Sequence, residues 1–175
     1  MKKLSTEVKG VQLITHYEQY HDGNLSKIGL QPKECPSGIW TVGLGHALTN
    51  ENGAFLRGTS GLEKAKKLYP KLMTMTIQEA NDLLAEDLII FEKIVNNKLK
   101  VEVSQDQFDA LVSHTFNTGG SDTLFNLVNK HQLEQAINWF TTHYITSNGV
   151  PMKGLKYRRR TEALLFSTGE LKFYN

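Results

Sequence analysis

At 175 residues the chain is long enough for one domain, or for two small lobes sharing a long element, and it can bury most of its apolar surface without covalent staples. Its single cysteine excludes an intrachain disulfide framework, and a net charge of +2 with a pI near 8.6 favours approach to an anionic polymer but is too mild to point to nucleic acid. The two lysines after Met1 are not followed by an apolar run long enough for a signal peptide, and no segment approaches a membrane span, so neither is expected.

In chain order, Ser5 is placed to cap a first helix on which Val8, Val11, Ile14 and Tyr17 fall near helical spacing with Leu13 beside them, and Glu18 closes it. From Gln19 to Cys35 the periodicity dissolves around Asp22-Gly23-Asn24 and Pro32, which reads as loop and short extended segments. Cys35-Pro36-Ser37-Gly38 suits a tight turn. The stretch from Trp40 to His46 reads as one strand, with Trp40, Val42, Leu44 and His46 on one face and Thr41, Gly43 and Gly45 on the other. A face of one hydroxyl and two bare backbones admits a flat polar ligand, or simply gives a surface hairpin its twist. Thr49 to Thr59 is a polar loop, and Leu62, Ala65, Leu68 and Leu72 suggest a modest helix that Pro70 ends or kinks.

Thr76-Ile77-Gln78-Glu79 has the form of a capping box ahead of a long helix with Ile77, Ala80, Leu83, Leu84, Leu88, Phe91 and Val95 on one face. Ser104 to Gln107 repeats the capping pattern before Phe108, Leu111, Val112, Thr115 and Phe116, and Gly119-Gly120 stops that helix. Helical patterns follow through Leu124 to Val128, Leu133 to Tyr144 and Leu155 to Phe166, while strand signals are confined to the first third. The expected fold is α+β: a small N-terminal β-sheet lobe over about 16–75, a connecting helix over about 76–97, and a helical C-terminal lobe over about 98–175 on which the first helix packs. A cleft between two such lobes is where a polymer is expected to lie.

The segment Cys35-Pro36-Ser37-Gly38-Ile39-Trp40-Thr41-Val42-Gly43-Leu44-Gly45-His46 resembles the core motif of the phage-type lysozymes, a glycoside hydrolase family that includes the bacteriophage endolysins, with Val42 and Leu44 as mild variants. Phe116-Asn117-Thr118-Gly119 and the block from Gly154 through Arg158-Arg159-Arg160 to Glu162 are similar to two further motifs of that family. Three motifs in order are more specific than any one alone, and together they span the chain from about Tyr17 to Phe166. The resemblance implies a two-lobe lysozyme-like fold and a cofactor-free muramidase that cleaves the β-1,4 bond between N-acetylmuramic acid and N-acetylglucosamine in peptidoglycan, lysing the cell wall. It further implies a monomer held in the host cytoplasm until a separate holin perforates the membrane, with peptidoglycan strands rather than nucleic acid as partner.

Cleaving a glycosidic bond needs a proton donor for the departing oxygen and a second group on the opposite face. Glu18 is the candidate donor, because the negative end of the helix macrodipole favours the protonated form of a carboxyl at that position; otherwise it is an ordinary glutamate at a helix end. In the family's usual pattern the glutamate is followed by glycine and lies closer to an Asp or Cys, whereas here Gln19 follows and Cys35 stands seventeen positions on, so an extra loop from about His21 to Lys33 is expected to bulge outward. Glu34, next to Cys35, is the competing donor and lacks a family motif around it.

Cys35 stands where many relatives of this family have aspartate. A thiolate there stabilises positive charge on the sugar, acts as base toward water, or attacks the anomeric carbon; alternatively Cys35 is a small buried apolar side chain. Thr41 is the candidate for holding the attacking water or a sugar substituent, unless it serves only strand propensity. Gly43 and Gly45 are expected against substrate. His46 reads as structural, and the resemblance supplies Asp87 as its partner. The family pattern also implies that Asn117 touches substrate and that Arg158 reaches the catalytic glutamate, although solvated helix charge is the plainer reading of the basic run from Lys153 to Arg160. No spacing of His, Cys or Asp suggests a metal site. Two rival readings remain: a glycan-binding module whose active site has decayed, and a Cys-His peptidase built on Cys35.

Overall fold

The computed structural model describes residues 2–35, 37–147 and 149–174. It is an α+β fold in which α1 (Val8–Glu18) is followed by β1 (Lys33–Glu34), β2 (Trp40–Val42), β3 (His46–Ala47), α2 (Gly58–Leu68) and α3 (Ile77–Lys98). The chain continues through α4 (Gln105–Thr118), α5 (Asp122–Asn129), α6 (Leu133–Thr142), β4 (Thr146–Ser147), β5 (Val150–Pro151) and α7 (Lys153–Thr168). Two units form: Glu18–Asp87, and the chain before Glu18 together with that from Leu88 onward. No helix among the described residues is long and apolar enough to cross a membrane.

The unit Glu18–Asp87 is built on an antiparallel sheet in the order β1-β2-β3, with Lys33 opposite Thr41 and Val42 opposite His46. The single strand expected from Trp40 to His46 is instead a hairpin. Gly43 and Gly45 have φ of 58° and 91°, left-handed values that only glycine adopts cheaply, and they reverse the chain after Val42. The apparent alternation arose because Leu44, at the tip, is buried like Val42. Val42 packs with Leu48, Leu56, Ala65, Met75 and Ala80 into a core flanked by Trp40 and Tyr69. Pro70 ends α2 and opens a 3-10 turn, Pro70–Leu72, since it cannot supply the donor a continuing helix needs. Thr76 and Glu79 close the capping box that starts α3: Glu79 N donates to Thr76 Oγ1 (3.1 Å) and Thr76 N to Glu79 Oε2 (2.7 Å).

In the other unit α4 is enclosed on all sides, with every residue from Phe108 to Thr115 buried. It packs on α7, α7 packs on α6, and α6 on α5. Fully buried Phe108, Leu111, Leu124, Phe140 and Leu165 each contribute about 2–3 kcal/mol of burial. Ser104 and Gln107 form the second capping box, and Gly119, with φ of 81°, terminates α4. A two-stranded ribbon, β4 paired with β5, lies outside the first third to which strands were expected to be confined. Its sequence signal is the pair Asn148-Gly149, of which Asn148 lies outside the described residues.

The first helix departs from expectation at its start. It begins at Val8 rather than after Ser5, and its free amides are served from a distance: Glu7 N and Gly10 N both donate to the Asp109 carboxylate of α4, at 3.1 Å each. A Cβ at Gly10 would stand 2.9 Å from Asp109 Cγ, so the glycine permits this approach. Gly10, Leu13 and Ile14 therefore form the inward stripe, and Val8 and Val11, read as core positions from their spacing, face solvent.

Candidate active site

Glu18 is the last residue of α1. Its carboxylate lies against the β2–β3 turn: a Cβ at Gly45 would come 3.1 Å from Oε2 and 3.7 Å from the carboxyl carbon. Gln19 takes φ of 57°, turning the chain out of the helix, and His21 N then donates to the Gly43 carbonyl at 2.7 Å. Gly43 and Gly45 thus hold the turn, and Gly45 leaves room for the carboxylate.

Thr41, on β2, is nearly buried, and its Oγ1 donates to the Lys33 carbonyl across the hairpin at 2.9 Å. Its proton is committed there, so its remaining capacity is as an acceptor. Cys35 sits in the β1–β2 loop, where its N donates to Ile39 O (2.9 Å) and its carbonyl accepts from Gly38 N (2.8 Å). This closes the expected turn; Pro36 lies outside the described residues. Cys35 Sγ is 2.9 Å from Ser37 Oγ. Partial burial pushes the thiol up, but the Ser37 hydroxyl, the amides of the turn and the nearby Arg57 guanidinium together favour the thiolate and leave its pKa below the ordinary value. Arg57 in turn donates to the Ser37 carbonyl. Ser37 and Arg57 were not legible as Cys35 partners, because neither belongs to a spacing pattern that precedes the turn geometry. Glu34 is on exposed β1, where its Oε1 accepts from Gly58 N at 3.2 Å.

His46 Nδ1 donates to both carboxylate oxygens of Asp87, at 3.0 and 2.9 Å, tying β3 to α3 within the unit. The loop after Glu18 is held internally. Asp22 Oδ1 accepts from Asn24 N and Gln31 N, Gly23 N donates to the Gln31 carbonyl, and Leu30 exchanges two backbone hydrogen bonds with Met75. Its tip stands out from the core, with Leu25 88% and Ile28 97% exposed.

In the helical unit, Arg158 is only 3% exposed, and with Arg159 and Glu162 it forms a buried cluster; the exposed members of the basic run are Lys153, Lys156 and Arg160. Glu162 Oε1 accepts from Ser113 Oγ (2.7 Å), Arg159 Nη2 (2.9 Å) and Arg158 Nε (3.2 Å). Arg158 Nη2 also reaches the Ser113 carbonyl at 3.3 Å. Two guanidinium groups around one carboxylate offset its desolvation by charge-assisted hydrogen bonds. Asn117 is exposed at the end of α4, and its Oδ1 accepts from Arg159 Nη2 at 3.0 Å. Ser113 carried no sequence signal, since a serine inside an apolar helix face gives no indication of what it will meet.

A family model described as "Phage lysozyme" matches residues 25–162, a range that opens after Glu18. An endolysin of Bacillus phage B103 is 40% identical over 99 residues, which are 54% of this chain and 37% of that protein, so the match spans well under half of the relative's own length. Among solved structures, the endolysin from Escherichia coli O157:H7 phage FAHEc1 superposes with a TM-score of 0.70 at 24% identity, covering 98% of both chains. The muramidase domain of SpmX from Asticaccaulis excentricus superposes with a TM-score of 0.65 at 28% identity, covering 94% of this chain and 98% of that one.

Proposed function

This chain belongs to the phage lysozyme family, and from that premise we propose that it hydrolyses the β-1,4 bond between N-acetylmuramic acid and N-acetylglucosamine in peptidoglycan, weakening the wall until the cell lyses. One observation carries the reading: the Glu18 carboxylate rests against the bare backbone of Gly45, on the hairpin that also holds Thr41, with Cys35 in the adjoining loop.

In this account Glu18 in its acid form gives its proton to the glycosidic oxygen as the bond to the anomeric carbon breaks. Thr41, its own proton held by Lys33, accepts a hydrogen bond from the attacking water or from a sugar substituent. Cys35, with its thiolate favoured by the turn, meets the positive charge at the anomeric carbon and serves either as base toward water or as nucleophile. These two roles give opposite product anomers, so the anomer formed first assigns Cys35. Asn117 is assigned a substrate contact, and Arg158 an electrostatic contribution to substrate binding. Passage to the wall through a separate membrane-perforating protein belongs to the same proposal.

Mass spectrometry of purified sacculi digested in heavy-oxygen water tests the chemistry. The expected product carries one heavy oxygen at a new reducing end on N-acetylmuramic acid; label at new carboxyl ends with free amines would make the chain a peptidase, and intact sacculi would reduce it to a binding module.

A further inference from the structure

The helix end that carries Glu18 is fastened by a group of contacts that no motif points to. Tyr17, the residue before Glu18, has its Oη 2.7 Å from Thr161 Oγ1 on α7. Thr161 spends its only hydroxyl proton on the Lys172 carbonyl, at 3.0 Å, so Tyr17 is the donor in the first bond. Burial pushes the phenol above its ordinary pKa, outweighing the Thr161 hydroxyl and the nearby Tyr174 amide, which pull the other way, and keeps it a donor at neutral pH. Around this relay, His16 stacks on Phe173 with ring centroids 3.9 Å apart, Phe173 meets the Tyr17 ring edge-on at 6.2 Å, and the Arg158 guanidinium lies 6.0 Å from the centre of that ring. Lys172, through Thr161, and Phe173 therefore hold the last turn of α1 at two consecutive side chains, His16 and Tyr17.

We propose that Tyr17 is a positioning residue for Glu18: the Tyr17–Thr161–Lys172 relay, with Phe173 packed beside it, fixes the rotation and fraying of the last turn of α1 and so fixes where the acid's carboxyl points. The inference rests on Glu18 being the general acid. A helix end normally frays, because its last carbonyls lack intrahelical partners and its final side chain shares that freedom. An acid must meet its oxygen within hydrogen-bond reach, and small misplacements are costly in rate. The turn here is anchored by side chains one residue away from the acid, so the constraint passes to Glu18 through a single peptide unit.

Reducing-end release from soluble, uncross-linked peptidoglycan strands at varied concentration, together with thermal melting, separates positioning from simple stability. Tyr17→Phe keeps the ring and its stacking but removes the donor, and Thr161→Val removes the acceptor. Both are expected to lower kcat roughly tenfold or more at unchanged KM, with the melting temperature lower by only a few degrees. Thr161→Ser, which keeps the hydroxyl, is expected to retain kcat. Amide exchange in Tyr17→Phe is expected to quicken at the last turn of α1 and stay unchanged in α4. Wild-type kcat in Tyr17→Phe would overturn the inference, as would rate losses that follow the melting temperature across all three variants. Glu18→Gln in the same assay keeps the two readings apart: if it turns over like the wild type, the acid assignment fails and the positioning role fails with it, whereas an inactive Glu18→Gln beside a fully active Tyr17→Phe removes the positioning role alone.

Discussion

Gly45 and Glu18 share one space: a Cβ at position 45, where φ is 91°, would stand 3.1 Å from Glu18 Oε2. The absence of a side chain there serves two ends at once, since the same residue must take a left-handed backbone to turn the hairpin and must leave room for the carboxylate.

Gly45→Ala should therefore cost both stability and turnover. The left-handed backbone alone costs roughly 1–2 kcal/mol for an alanine, and the crowded carboxylate has to shift by a few tenths of an ångström. Gly53→Ala is the control, because Gly53 also has a left-handed φ, 78°, but a Cβ there meets nothing within 4 Å. Denaturant melts and kcat of the two variants are expected to show comparable destabilisation with a rate loss in Gly45→Ala only; equal rates would mean that the space beside Glu18 is without consequence for catalysis.

His46→Ala removes the bifurcated hydrogen bond that Nδ1–H of His46, on β3, makes to the Asp87 carboxylate on α3. A partly buried, charge-assisted pair of this kind is worth about 1–2 kcal/mol, so the melting temperature should fall by several degrees while kcat, measured below the transition, stays near wild type. A large loss of kcat without a change in melting would place His46 in the chemistry instead.

Stability should also decline in mild acid because of His114. Its imidazole is buried edge-on to Phe140 and Tyr144, and burial first, then the positive charges of Arg159 and Arg158, lower its pKa from 6.5 to about 3. Below pH 6.5 the unfolded chain takes up a proton that the folded one refuses, so unfolding free energy falls with decreasing pH, by up to about 1.4 kcal/mol per pH unit, until the folded group protonates near pH 3. Asp109 works the other way: burial raises its carboxyl, so the folded state protonates first and the slope is eased at the acidic end. His114→Phe should flatten the decline between pH 6.5 and 3; the Thr118 hydroxyl, which lies 3.3 Å from His114 Nδ1, loses little because it donates to the residue-114 carbonyl at 2.8 Å. An unchanged slope in the variant would assign the acid sensitivity elsewhere.

How far the sequence could be read follows from how local each feature is. The capping boxes at Thr76 and Ser104, the stop at Gly119 and the break at Pro70 depend on neighbours within four residues, and each was legible. The start of α1 was not, because its cap is Asp109, whose contact with Glu7 spans 102 positions. The hairpin at Gly43–Gly45 was misread as strand because burial of Leu44 imitates alternation while glycine torsions leave no trace in hydrophobicity. Motif resemblance named Glu18, Cys35 and Thr41 as candidates, yet the bonds that two of them make, Thr41 to Lys33 and Cys35 to Ser37, depend on sheet register and on a turn. Glu162 stood at the end of a recognisable motif, but its partner Ser113 lies 49 positions away on a buried helix.

Turbidity clearing and reducing-end release from purified sacculi by the wild type and by Glu18→Gln, an isosteric change that removes the acid and keeps the amide in the same space, bear most directly on the whole account. The wild type is expected to clear sacculi with new N-acetylmuramic acid reducing ends, and Glu18→Gln to bind them while releasing essentially none. Clearing by the variant at the wild-type rate would remove Glu18 from the mechanism and contradict the account at its centre.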